Sequence, residues 1–249
     1  MAGLTAIALP SGKPRWQREI PGHIEMSPLV SPSADRLWVS AGPGGVWCLE
    51  PRTGRVVWQR EFGHSDATPA LGDTSLFVSV QPNEREARTE LHALDPESGA
   101  SRWKARLPGM PWGSPVVRHG AAMITTGTGQ IGRASKSDRG WAHALDVKTG
   151  KLRWTNDLPA MPLLSSPFIE SFPQQDEGVL IVTLQGGQVL ALEPTRGAIV
   201  WRTQLHKNVY APAVTASAGR KRLVLVADAE GALHVLDAAD GSELQTIEI

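Results

Sequence analysis

Histidines are the residues of this 249-residue chain whose spacing first invites chemistry. His23, His64 and His206 each follow a tryptophan by five to seven residues, and Glu25, Asp66 and Asn208 stand close by. Imidazole beside carboxylate suits a divalent ion. These three are the candidate metal ligands, although their spacing matches no recognised metal motif and their convergence depends on the fold. His92, His143 and His234 share a different position, three residues before an acidic residue. Trp47 and Leu190 occupy the same slot in other copies of that phrase, so it reads as a packing position.

Other chemistry is thin. Gly127-Thr128-Gly129-Gln130-Ile131-Gly132 imitates a dinucleotide fingerprint, but no strand–helix–strand unit surrounds it. There is no Gly-x-Ser-x-Gly elbow, no His-Glu-x-x-His and no Cys-x-x-Cys. Most acidic residues fall in turns, which leaves no paired carboxylates to argue from. No catalytic residue is nominated.

The elements that would position any site come from a repeat. His92-Ala93-Leu94-Asp95-Pro96-Glu97-Ser98-Gly99 with Trp103 returns at Glu50, Gly54 and Trp58, at Asp146, Gly150 and Trp154, and at Glu193, Gly197 and Trp201. A shortened copy holds Gly12 and Trp16; the last holds Asp237 and Gly241, with Gln245 in the tryptophan position. The turn glycines are 42, 45, 51, 47 and 44 residues apart, a period that means a propeller or a similar array. In each copy the acid is expected to accept hydrogen bonds from backbone N–H groups two and three residues on. Glycine takes the left-handed position that closes the turn. One indole per repeat at a fixed place, Trp16, Trp58, Trp103, Trp154 and Trp201, is expected to wedge against the neighbouring unit. A small residue and proline follow each time, as at Ser27-Pro28 and Ser114-Pro115, where an innermost edge strand tolerates the missing N–H.

This combination resembles the PQQ-like β-propeller repeat of the quinoprotein dehydrogenases and covers the whole chain. The expected fold is all-β, with four-stranded antiparallel blades: five full blades plus an N-terminal half-blade. As one domain over residues 1–249, it divides into a half-blade at 1–22 and blades at about 23–62, 63–107, 108–157, 158–205 and 206–249. A half-blade without A and B strands to join suggests part of a seven- or eight-bladed propeller, completed by missing blades or by another chain. The alternative is closure with the half-blade as a sixth, reduced blade.

With strands A to D running from innermost to outermost, the D–A and B–C connections share one face. The A–B and C–D turns share the other. The uniform turns are poor material for recognition, whereas two B–C connections expand at Gln81–Glu90 and Gly127–Gly140. The candidate binding residues are Arg85, Arg88, Arg133, Lys136 and Arg139 on those loops, with Trp112 and Tyr210 on D–A segments.

The family includes quinone enzymes and non-catalytic scaffolds. The resemblance to the enzymes would imply PQQ with calcium, a carboxylate–Asn–Asp cofactor set and often adjacent cysteines. This chain has one cysteine, Cys48, in a slot where other copies have alanine, and no such set maps onto it. The expectation is therefore a scaffold that binds a protein partner through its variable face, with no cofactor. The alternatives are a small molecule, glycan or metal ion bound at that face, or a remnant of a PQQ-dependent dehydrogenase.

Balanced charge, 25 basic against 25 acidic residues, gives no general attraction to nucleic acid or an anionic membrane. No apolar run is long enough to span a bilayer. The N-terminus lacks the basic start and cleavage site of a signal peptide. The resemblance suggests the periplasm or cell envelope, and the residues themselves are equally compatible with the cytoplasm.

Overall fold

The computed structural model describes residues 2–83, 86–129, 135, 137–162, 166–172, 175–219 and 221–248. All regular elements among them are strands. The first two, β1 (Ala2–Ile7) and β2 (Pro14–Ile20), form a two-stranded hairpin, the half-blade. The first full blade is β3 (Leu29–Val30), β4 (Leu37–Ser40), β5 (Val46–Leu49) and β6 (Val56–Arg60). The second is β7 (Ala70–Leu71), β8 (Leu76–Val80), β9 (Arg88–Leu94) and β10 (Ser101–Pro108). In the third, β11 (Met110–Pro111) and β12 (Val116–Arg118) both pair with β13 (Ala121–Gly127), which is followed by β14 (Gly140–Asp146) and β15 (Leu152–Leu158). The fourth is β16 (Phe168–Phe172), β17 (Gln175–Leu184), β18 (Gln188–Leu192) and β19 (Ile199–Gln204). The fifth is β20 (Val214–Ala218), β21 (Lys221–Ala227), β22 (Ala232–Asp237) and β23 (Glu243–Glu248). Five four-layered antiparallel blades and a half-blade match the fold expected of the repeat.

Two compact units divide the chain, Met1–Leu107 and Pro108–Ile249. In the first, the half-blade and the first full blade bury Ile20, Val39, Trp47 and Leu49 with Leu4 and Trp16. The next seam joins Trp38, Cys48 and Trp58 to Leu76, Val78 and Leu94. In the second unit, Met123, Ala144 and Trp154 meet Leu180, Val182 and Leu190, while Ile181, Ala191 and Trp201 meet Val224, Val226 and Leu236.

Strand patterns follow from this layering. Second strands such as β4 and β8 are buried along their whole length; in β4, Leu37 and Val39 meet the half-blade while Trp38 meets the second full blade. Outer strands such as β10 and β15 alternate between exposed and covered residues. Small residues on the third strands lie directly opposite the indoles: Cys48 pairs with Trp58, Ala144 with Trp154 and Ala191 with Trp201. Ala144 and Trp154 share one buried cluster, and Ala191 and Trp201 another.

Candidate functional site

Two surfaces must be compared: the uniform turns and the irregular connections opposite them. At the turns, Gly54, Gly99, Gly150, Gly197 and Gly241 each donate N–H to the carbonyl of the acid four residues earlier, at 2.8–2.9 Å. Register shifts at Cys48/Leu49, Ala144/Leu145, Ala191/Leu192 and Val235/Leu236 mark the bulge that accompanies such a glycine. Asp95 Oδ1 accepts from the backbone N–H groups of Glu97 and Ser98 at 3.1 and 2.9 Å, and Asp146 Oδ1 does the same for Lys148 and Thr149 at 3.1 and 3.0 Å. The other carboxylate oxygen of each accepts from an arginine, Arg102 or Arg153, at 2.7 and 2.8 Å. The arginine and the turn hydroxyl hold Asp95 down to about 2, and the Asp146 carboxyl is likewise held well below its usual range. These acids are occupied within their own blades.

The indoles are occupied too. Trp16 Nε1 donates to Pro51 O at 2.8 Å, Trp58 to Pro96 O at 2.9 Å, Trp154 to Pro194 O at 2.8 Å and Trp201 to Ala238 O at 3.0 Å. The acceptor is always the residue after the next blade's turn acid. The ring lies on that blade's turn glycine: a Cβ on Gly54 would meet Trp16 at 2.7 Å and one on Gly197 would meet Trp154 at 2.6 Å, and both glycines have positive φ. Two residues past each of these tryptophans, a second donor reaches the same turn. Arg18, Asn156 and Thr203 bond the glycine carbonyl at 2.5 Å, and Arg60 bonds Ser98 O at 2.7 Å. The indole acceptor and this second bond were not legible as motifs, because the second donors share no residue type. Trp103 lies 5.7 Å from Phe77, ring centroid to centroid.

On the irregular face, the first unit brings two of the candidate histidines together. His23, on the β2–β3 connection, and His64, on the β6–β7 connection, have ring centroids 5.1 Å apart. Asp66 bridges them, with Oδ1 3.0 Å from His23 Nε2 and Oδ2 2.7 Å from His64 Nε2. Glu25 Oε1 stands 3.6 Å from His23 Nε2. His206 belongs to the second unit, exposed on the β19–β20 connection.

The shared histidine slot is buried but not apolar. His92 Nε2 lies 3.2 Å from Glu90, His143 bridges Thr126 and Thr155 at 3.0 and 2.9 Å, and His234 bridges Asp228 and Glu243 at 3.1 and 2.7 Å. Glu90, expected on an expanded loop, lies inside β9 and is buried; it accepts from Lys104 at 3.0–3.2 Å and Arg106 at 3.0 Å. Burial raises this carboxyl, but the two cations outweigh it and leave the pKa lowered. The β8–β9 connection is correspondingly shorter, ending before Arg88, which is exposed at the start of β9.

Of the other candidate binding residues, Arg85, Arg133 and Lys136 lie outside the described residues. Arg139 is exposed at the foot of the long β13–β14 connection, whose base closes through Thr128 N to Arg139 O at 3.0 Å and Arg139 N to Thr128 Oγ1 at 2.9 Å. Tyr210 is 40% exposed. Trp112 is half-buried.

Four-stranded blades seamed by indoles on the next blade's turn define the class: a β-propeller of tryptophan-docked, PQQ-like repeats. The family model described as outer membrane protein assembly factor BamB matches residues 44–139 and 87–249, and the chain belongs to that family. An outer membrane protein assembly factor BamB of Burkholderia pseudomallei (strain K96243) is 24% identical over 182 residues, covering 73% of this chain and 42% of that protein. A polyvinylalcohol dehydrogenase of Pseudomonas sp is 28% identical over 171 residues, 61% of this chain and 26% of the enzyme. The crystal structure of BamB from Moraxella catarrhalis superposes with a TM-score of 0.68 at 19% identity, covering 99% of this chain and 70% of that one. The chain thus spans less than half the length of these two curated relatives.

Among the described residues, two asparagines that a carboxylate–Asn–Asp set could draw on are tied to the backbone instead. Asn156 is bonded to Gly197 O and Asn208 Oδ1 accepts from Gly186 N at 3.1 Å. Cys48 is buried, and burial pushes its thiol up to about 12. Among the described residues, the one set of three His, Cys, Asp or Glu side chains whose donor atoms all lie within 4.8 Å of one another is His23, His64 and Asp66, two imidazoles to one carboxylate. That is not a carboxylate–Asn–Asp set. Among the same residues, no helix is long and apolar enough to cross a membrane.

Proposed function

We propose that this chain is a non-catalytic β-propeller platform for protein–protein interaction. It meets its partner through the D–A and B–C connections. The supporting observation is the contrast between the two faces. Turn acids, turn glycines and indole N–H groups are engaged in building and joining blades, whereas the opposite connections vary in length and carry exposed Arg88, Arg139 and Tyr210. Variable loops on a rigid repeat are where recognition concentrates. Family membership supports the same reading, and the relatives' name supplies the setting: assembly of outer membrane proteins in the bacterial cell envelope. Three basic residues in the sequence of the β13–β14 connection, Arg133, Lys136 and Arg139, favour a partner with an acidic docking surface.

Charge reversal tests it. Arg133→Glu, Lys136→Glu and Arg139→Glu together are expected to abolish co-purification of an envelope partner while leaving the melting temperature unchanged. An unchanged set of partners would overturn the assignment of this face.

A further inference from the structure

The first unit gathers a donor set on two of its irregular connections. His23 Nε2 and His64 Nε2 both point at the Asp66 carboxylate, at 3.0 and 2.7 Å, and one donor atom from each of the three residues lies within 4.8 Å of the others. Glu25 Oε1 stands at the rim, 3.6 Å from His23 Nε2. Donors bonded to a tetrahedral zinc at about 2.0–2.1 Å stand roughly 3.3 Å from one another. Small rotations therefore suffice to turn two hydrogen bonds into three metal bonds, with each neutral imidazole carrying its proton on Nδ1 and leaving the Nε2 lone pair to the ion. Side chains with 45% (His23), 35% (Asp66) and 23% (His64) of their surface exposed have room for them.

The backbone beneath these side chains is fixed. His64 exchanges backbone hydrogen bonds with Gln81 at 2.9 and 2.8 Å, and Ser65 exchanges them with Gly42 at 2.9 and 3.2 Å. The buried Ser65 hydroxyl donates to Ser79 O at 2.9 Å and lies 3.1 Å from Ser40 Oγ. The segment from His64 to Asp66 is thus clamped between the ends of β4 and β8. Gly42 serves both ligand loops: its backbone holds Ser65, and the His23 ring lies over its Cα. A Cβ there would meet His23 Cε1 at 2.6 Å, and φ is +54°. Two loops from successive blades are aimed at one point by a shared glycine. Such support is what a metal site needs around its ligands.

We infer that His23, His64 and Asp66, with Glu25 at the rim, bind one divalent transition-metal ion. Two imidazole nitrogens and a carboxylate select zinc, cobalt, nickel or copper over calcium or magnesium, which prefer all-oxygen shells. The exposed side leaves a coordination position for water.

The test is titration of the chelator-treated 249-residue chain with zinc chloride by calorimetry, and with cobalt(II) by visible absorption. The result expected is one zinc per chain, cobalt d–d bands of a low-coordinate site and a melting temperature raised by zinc. His23→Ala and His64→Ala each weaken binding by about 100-fold or more, while His206→Ala leaves it unchanged. His23 is the more exposed ligand, so His23→Ala keeps the test valid if His64→Ala disturbs folding, as circular dichroism would reveal. Absence of saturable zinc binding, or undiminished binding in folded His23→Ala, would overturn the site and leave a hydrogen-bonded seam. Displacement of zinc by equimolar calcium would overturn the choice of ion.

Discussion

His143 and His234 occupy the same position of the repeat, yet they respond to acid in opposite senses. Burial pushes His143 down to about 4, so the folded chain holds it neutral where the unfolded chain would protonate it. The unfolded state then binds more protons between pH 6.5 and 4, and stability falls as pH drops through that window, by up to about 3 kcal/mol. Burial also works against a charged His234, but its hydrogen bonds to Glu243 and Asp228 prevail and raise its pKa. Its contribution is complete below the ordinary histidine range and is lost as pH rises through the raised value. His143→Gln should flatten the acid limb of a melting-temperature profile between pH 6.5 and 4.5. An unchanged slope would show that the buried imidazole is not its source. The sequence reveals that this slot is shared and enclosed. It does not reveal the sign, which depends on whether hydroxyls (Thr126, Thr155) or carboxylates (Asp228, Glu243) face the ring from neighbouring positions.

The seam is the unit of stability at the scale of elements. Each described seam combines an indole on a glycine, an indole N–H on the next carbonyl and a second donor from two residues later. Trp154→Ala should cost about 3–5 kcal/mol, read as a lower urea midpoint, whereas Trp154→Phe keeps most of the ring and loses chiefly the hydrogen bond to Pro194. Equal loss in both variants would assign the stability to that bond rather than to packing. The hairpins were legible because acid, proline and glycine act within a few residues of one another. The wedge was legible because its spacing repeats. Its acceptor was not, since any residue after the turn acid offers a carbonyl. Glu90 was misplaced for a similar reason: a charged residue beside Arg88 reads as loop, and the cations that allow its burial, Lys104 and Arg106, arrive from the next strand. Of the three candidate histidines, which pair would meet was equally hidden, because the Gly42 and Ser65 bridge that aims His23 and His64 is pure backbone.

For the whole molecule, the repeat unit is shared by assembly factors and dehydrogenases, so architecture alone does not choose between platform and enzyme. The difference lies in the donor atoms offered to a quinone. Adding PQQ with calcium should give no dye reduction with alcohols and no rise in melting temperature. Turnover with an alcohol would favour the dehydrogenase relatives and overturn the platform. Among the described residues, the half-blade pairs β1 with β2 alone.

Cys48 carries a practical consequence. Enclosed at the seam between the first and second full blades, with a thiol that stays protonated far above neutral pH, it offers no thiolate to alkylating probes or to air. A reporter cysteine can therefore be placed on any exposed connection without first removing the native one. Each label would then mark a single address on the surface proposed to receive a partner.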